Sequence, residues 1–213
     1  MENKEMRRVT NHQHSNMFIS RVALPRPCFF ILCSLFFVVC ACSESDGEDT
    51  AEYSNWKERN EMFFATLEDS LSHGEGQWKK IKTYTKDPAA EGVATDYVYV
   101  KVLERGINGG SSPNYTDGIQ IAYRGRLISS ISYPQGYVFD ETYIGDYNPK
   151  TAAYYIGSPE LLVAGFATAV MHMTRGDRWL VYVPYQLGYN TKTDNGIPAY
   201  STLIFDVALI DYE

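Results

Sequence analysis

Apolar positions along this chain follow two different periods. From Ser54 to about Leu71 they recur at helical spacing: Trp56, Phe63, Phe64, Leu67 and Leu71 fall near one face. Glu58, Arg59, Glu61, Glu68 and Asp69 crowd the other. An amphipathic helix is therefore expected, ending in Ser72-His73-Gly74-Glu75-Gly76. Beyond Asp96 the period becomes two. Val98, Val100 and Val102 alternate with Tyr97, Tyr99 and Lys101, and Ile119, Ile121 and Tyr123 with Gln120 and Ala122. Trp179, Val181 and Val183, then Leu203, Phe205, Val207 and Leu209, repeat the pattern, and each run predicts a strand with one face on a core. Ser158-Pro159-Glu160 carries the chemistry of a helix start, with Phe166, Val170 and Met173 following at helical spacing and Gly176 as a stop. The expected architecture is α+β: an antiparallel β half-sandwich wrapped on one short helix, preceded by a signal segment and the N-terminal amphipathic helix.

The first 41 residues alter the bookkeeping. Cys28 to Cys42 reads CFFILCSLFFVVCAC, an apolar run behind Arg21 and Arg26, which has the form of an export signal. It is shorter than the about 20 apolar residues that a spanning helix needs. Its end, Val39-Cys40-Ala41-Cys42, resembles a bacterial lipobox, which implies cleavage before Cys42 and acylation of that residue. Met1 and Met17 are both open as the start. Removal of residues 1–41 leaves 14 basic and 24 acidic side chains (19 less 5, 26 less 2), a formal charge of −10. Such a balance argues against a nucleic-acid partner, because neutralising phosphates takes Lys and Arg. Cys42 is then the sole cysteine, so no intrachain disulfide is expected, and with His73 and His172 the remaining histidines no metal site is expected either. The expected organisation is a signal segment (1–41), an acidic tether (42–53), a helical region (54–95) and a main domain (96–213).

Six segments of that domain resemble, in order, the FKBP-type peptidyl-prolyl cis-trans isomerases. Ile121-Ala122-Tyr123-Arg124-Gly125-Arg126-Leu127 is similar to the family's V-x-Y-x-G-x-L, and Val138-Phe139-Asp140-Glu141-Thr142 to its V-F-D-S-S. Ile156-Gly157 with Val163-Ala164-Gly165-Phe166 resembles L-G…V-I-x-G-W, and Met173-Thr174-Arg175-Gly176 resembles M-x-x-G. Val183-Pro184-Tyr185-Gln186-Leu187-Gly188-Tyr189 resembles I-P-P-x-L-A-Y, and Gly196 to Val207 follows G-I-P-P-N-S-T-L-I-F-D-V almost throughout.

The resemblance implies an isomerase acting on proline-containing polypeptides, here assisting the folding of exported envelope proteins. It needs no cofactor, and macrolide inhibitors are a further ligand class it implies. The alternative is a weakly catalytic or non-catalytic FKBP-like chaperone. The resemblance places Tyr123, Phe139, Val163, Phe166, Ile197 and Phe205 in the pocket wall, with Phe166 as floor, Asp140 at the rim and Tyr189 donating its hydroxyl to a substrate carbonyl. The Val163 N–H would hold the next carbonyl. Departures are visible as well. Phe166 stands where most members have Trp, and the aromatic expected before Ile156-Gly157 is missing, with Ala152 near its place and Tyr154 as a substitute. The hairpin is lengthened by Ser130 to Gly136, and the arginine expected after Phe-Asp is absent, which leaves Asp140 to find another partner. Asp140 and Glu141 adjoin, so on a strand they face opposite ways and form no paired-carboxylate site. The expected localisation is the bacterial envelope, lipid-anchored at Cys42; the oligomeric state is left open.

Overall fold

The computed structural model describes residues 51–73 and 77–213. The expected export signal, Cys42 and most of the acidic tether lie outside the described residues. The elements are helix α1 (Trp56–His73), strands β1 (Trp78–Lys82), β2 (Tyr97–Glu104), β3 (Ile119–Arg126), β4 (Val138–Glu141) and β5 (Tyr155–Gly157), helix α2 (Ala164–Val170), and strands β6 (Arg178–Val183) and β7 (Leu203–Tyr212). Every ladder is antiparallel. The order across the sheet is β1-β2-β6-β7-β3-β4, with β5 also pairing β3.

The two faces of the sheet follow from the alternation. On the inner face Val98, Val100, Ile119, Ile121, Val181, Val183, Leu203, Phe205, Val207 and Leu209 form the core with Phe166 and Val170 of α2. Helix α2 lies close because its second residue is Gly165, where a Cβ would collide with the Val183 side chain. The expected helix start at Ser158 needs correction. Pro159–Leu161 is a separate 3₁₀ turn, and α2 begins after Val163, whose extended backbone (φ −60°, ψ 146°) caps it. Leu162, extended at ψ 156°, breaks the continuity.

Helix α1 covers part of the outer face. Phe64 meets Tyr99 edge-on at 5.0 Å between ring centroids, and Phe63 meets Tyr182 at 6.0 Å. Phe64, Leu67 and Tyr99 form a second small core there. Trp56 reaches the main core, where its indole N–H donates to Ser201 Oγ at 2.8 Å. The fully buried Asn60 ties the same helix down, accepting from the Thr202 N–H at 2.7 Å. Glu68 accepts from Lys80 and from the Tyr99 hydroxyl, and these partners, Lys80 first, hold its carboxyl below the usual carboxylate range. Strand β1 was not expected within the 54–95 stretch. It adds an edge to the sheet through pairs such as Lys80↔Tyr99.

Candidate functional site

On the inner face near β4 the sheet and α2 leave a hollow of about 320 Å³. Its floor is aromatic. Phe166 of α2, 3 % exposed, stacks on Phe205 of β7 with centroids 4.0 Å apart and planes 3° from parallel. Tyr123 of β3 meets both rings edge-on, at 5.7 Å and 6.3 Å. Phe139 of β4 meets Phe205 edge-on at 5.7 Å. Val163, at the head of α2, and Tyr189, just past the 3₁₀ turn Tyr185–Leu187, complete the set that the fold brings together with Asp140.

Phe139 and Asp140 both line this hollow, although neighbours on a regular strand face opposite ways. The β3–β4 register explains it. Asp140 pairs with Gly125 and Val138 with Arg126, so Phe139 is the extra residue of a β-bulge. Gly125 makes room for the result: a Cβ there would lie 2.6 Å from the Phe139 ring. Glu141 resumes the other face and pairs with Arg124 at 2.7 Å.

Asp140 does have a partner: the Tyr123 hydroxyl donates to its Oδ2 at 2.5 Å. Burial, and then this carboxylate, push the Tyr123 phenol well above its ordinary value. Burial, followed by the charges of Asp194 and Asp140, also raises that of Tyr189. Both phenols therefore keep their protons at neutral pH and serve as donors, the first directed at Asp140.

Ile197 stands apart from the other seven expected residues. It is 2 % exposed, packs in the main core and exchanges backbone hydrogen bonds with Asp194, and it is not among the residues lining the hollow. Three lining residues were not expected: Tyr155, Leu161 and Leu162. Tyr155, rather than Tyr154, supplies the extra aromatic, at 6.4 Å from Tyr123. It pairs opposite Ile121, whose side chain faces the core, which puts Tyr155 on the same side. Leu161 is 68 % exposed at the mouth. The lengthened hairpin is folded back on Glu52 and on Arg59 of α1. The Ser132 N–H donates to Glu52, and Arg59 donates to the Ser129 carbonyl at 2.8 Å.

A second, more apolar hollow of about 270 Å³ lies between α1 and the turn at Pro184–Gln186, and none of the eight expected residues lines it. Among the described residues no group of three or more His, Cys, Asp or Glu side chains could hold a metal ion.

Residues 109–210 match the family model of the FKBP-type peptidyl-prolyl cis-trans isomerases. The peptidyl-prolyl cis-trans isomerase Mip of Coxiella burnetii is 34 % identical over 124 residues, covering 58 % of this chain and 47 % of that protein. The outer membrane protein MIP of Legionella longbeachae is 31 % identical over 111 residues, covering 52 % and 42 %. A crystal structure of a peptidyl-prolyl cis-trans isomerase from Pseudomonas syringae aligns with a TM-score of 0.49 at 18 % identity, covering 77 % of this chain and 98 % of that one. The chain spans about half the length of the curated relatives it matches.

Proposed function

Because the chain belongs, through residues 109–210, to the FKBP-type peptidyl-prolyl cis-trans isomerase family, we propose that it isomerises X-Pro bonds in polypeptides of a bacterial cell envelope and so assists their folding. The observation that carries this reading is the hollow, where an aromatic floor and wall meet a rim with few polar groups. Rotation about an X-Pro bond is opposed by amide resonance, a barrier of about 18–20 kcal/mol. In the twisted state the nitrogen no longer conjugates and the amide is less polar. A water-excluding aromatic cup therefore favours the twisted amide over the planar one.

In this reading Phe166 and Phe205 support the proline ring, Tyr123 and Phe139 wall it, and Tyr189 donates to a substrate carbonyl. The N–H of Val163 holds the next carbonyl, and Asp140 fixes the Tyr123 ring through its hydroxyl. An exchange assay on a proline peptide with the full chain in mild detergent tests this. Phe139→Ala is expected to lower the rate more than Tyr189→Phe. The latter loses one hydrogen bond, about 0.5–1.5 kcal/mol net, at most about tenfold in rate. Equal rates in folded wild type and Phe139→Ala would remove the hollow from the mechanism. A second reading, a binding module that holds proline-containing segments with little turnover, is favoured by the Phe166 floor. Background activity in wild type together with retained peptide binding would select it. A macrolide inhibitor would occupy the same hollow and compete with the peptide.

We further infer an organisation of signal (1–41), tether (42–53), helical region (54–95) and isomerase domain (96–213), with the protein anchored in the envelope by acylated Cys42. Support comes from the lipobox-like Val39-Cys40-Ala41-Cys42 and the name of the Legionella relative. Unchanged detergent partition of Cys42→Ala would refute the anchor.

A further inference from the structure

Strand β4 carries both Phe139 and Asp140, yet little in the sheet holds it. It is four residues long, lies at the end of the sheet, has β3 as its strand partner and is interrupted by the bulge at Phe139. A strand of this kind is free to shift unless side chains pin it.

We propose that Arg124, on the face of the sheet away from the hollow, is the positioning residue that pins it. The proposal rests on the isomerase reading above. Arg124 follows Tyr123 on β3, so its side chain leaves by the outer face. Its Nε donates to Glu141 Oε2 at 2.7 Å, and its Nη2 donates to the carbonyls of Tyr143 at 3.0 Å and Gly145 at 2.8 Å. The guanidinium also lies over the Tyr143 ring, 4.8 Å from its centroid. One side chain thus grips the last residue of β4 and two carbonyls of the loop that follows. Only a planar fork of donors does this; the single point charge of lysine does not.

The geometry links that grip to the hollow. Arg124 and Glu141 are register partners on neighbouring strands. One residue back on each strand, Tyr123 and Asp140 are bridged on the inner face. The same stretch of ladder is therefore pinned from both sides, by an ion pair outside and a hydrogen bond inside. Thr142 adds a backbone link, donating its N–H to the Tyr123 carbonyl at 2.9 Å. Without the outer clamp, β4 keeps its strand pairing, the Thr142 link and the contact of Phe139 with Phe205, and the Tyr123–Asp140 hydrogen bond, whose geometry the hollow requires, must carry the rest.

The test compares full-length wild type with Arg124→Gln, Arg124→Lys and the milder Glu141→Gln. It uses three readouts: kcat/KM on a proline peptide, amide exchange across residues 139–145, and the NMR ring signals of labelled tyrosines. Arg124→Gln is expected to lower kcat/KM about three- to tenfold, the size of a lost hydrogen-bonded support. It should also speed exchange across 139–145 and shift the Tyr123 signal while those of Tyr84 and Tyr115 stay in place. Arg124→Lys should recover only part of each change. A lower melting temperature with kcat/KM, local exchange and the Tyr123 signal all as in wild type would overturn the proposal, leaving Arg124 a stabilising residue. A shifted Tyr123 signal with unchanged kcat/KM would overturn it too. If Arg124→Gln does not fold, Glu141→Gln decides by the same criteria. An inactive wild type would sink the isomerase reading alone, and exchange and the Tyr123 signal would still decide whether Arg124 positions β4.

Discussion

Replacing Gly125 with alanine puts a methyl group 2.6 Å from Cε2 and Cζ of Phe139 and 3.0 Å from Cε1 of Phe205. Carbon atoms pack comfortably at about 3.5–4.0 Å, so the Phe139 ring must retreat by roughly 1 Å. Two effects then compete. Overpacking of this kind costs about 1–3 kcal/mol. Restricting the unfolded chain by Gly→Ala, at a position where Gly125 adopts no positive φ, returns about 0.4–1 kcal/mol. Overpacking is the larger effect over most of that range, and a net loss of up to about 2.6 kcal/mol is expected in urea unfolding. The rate should suffer more than the stability, because the ring that moves is the wall of the hollow. A displacement of about 1 Å at a reacting site can cost up to a hundredfold. The cause can be isolated with Phe139→Leu, which lacks the two ring atoms the methyl would meet. In the double variant the collision with Phe139 disappears, the closer approach to Phe205 Cε1 and the entropic gain remaining. The two substitutions should therefore couple by at least about 1 kcal/mol, the double variant being more stable than the sum of the singles. Stabilities that add to within about 0.3–0.5 kcal/mol would refute the collision and the placement of the Phe139 ring over Gly125.

Phe166→Trp tests the floor: with Phe166 buried and stacked at 4.0 Å on Phe205, the larger ring is expected to lower stability by about 1–3 kcal/mol, and an unchanged urea midpoint would show unsuspected space. Alkaline unfolding tests Tyr143, whose phenol is pushed up to about 12 by burial and then by Asp206. Its folded value lies above its unfolded value of about 10, so its contribution is complete below pH ~10 and is lost as pH rises toward 12. Tyr143→Phe should flatten that part of the stability profile, and an unaltered slope would count against the assignment.

The long strands are legible in the sequence because Val98, Val100, Trp179, Val181, Val183, Leu203, Phe205, Val207 and Leu209 alternate onto the face that packs the main core, although Tyr99, Ile204 and Ala208 show that β2 and β7 are buried on the other face as well. Strand β1 is not, because three of its five residues are lysines that an edge leaves in reach of solvent. Seven residues of the hollow can be named only from the family resemblance, since periodicity cannot separate a pocket wall from core. Tyr155 escapes because the choice between adjacent tyrosines turns on the register of a three-residue strand with Ile121. The bulge escapes because an extra residue in a ladder is defined by the partner strand, and strict alternation would place Phe139 and Asp140 on opposite sides.

The charged edge at β1 bears on how this sheet meets another extended chain. An extended polypeptide can join a sheet wherever a straight edge offers unpaired backbone groups. Here Lys79, Lys80 and Lys82 populate one outer strand, and Lys82 donates to the carbonyls of Asp87 and Ala90 in the loop that follows. At the opposite edge β4 is short and bulged. Neither border is a good template for strand addition, so another extended chain rich in strand-forming segments gains little by lengthening this sheet.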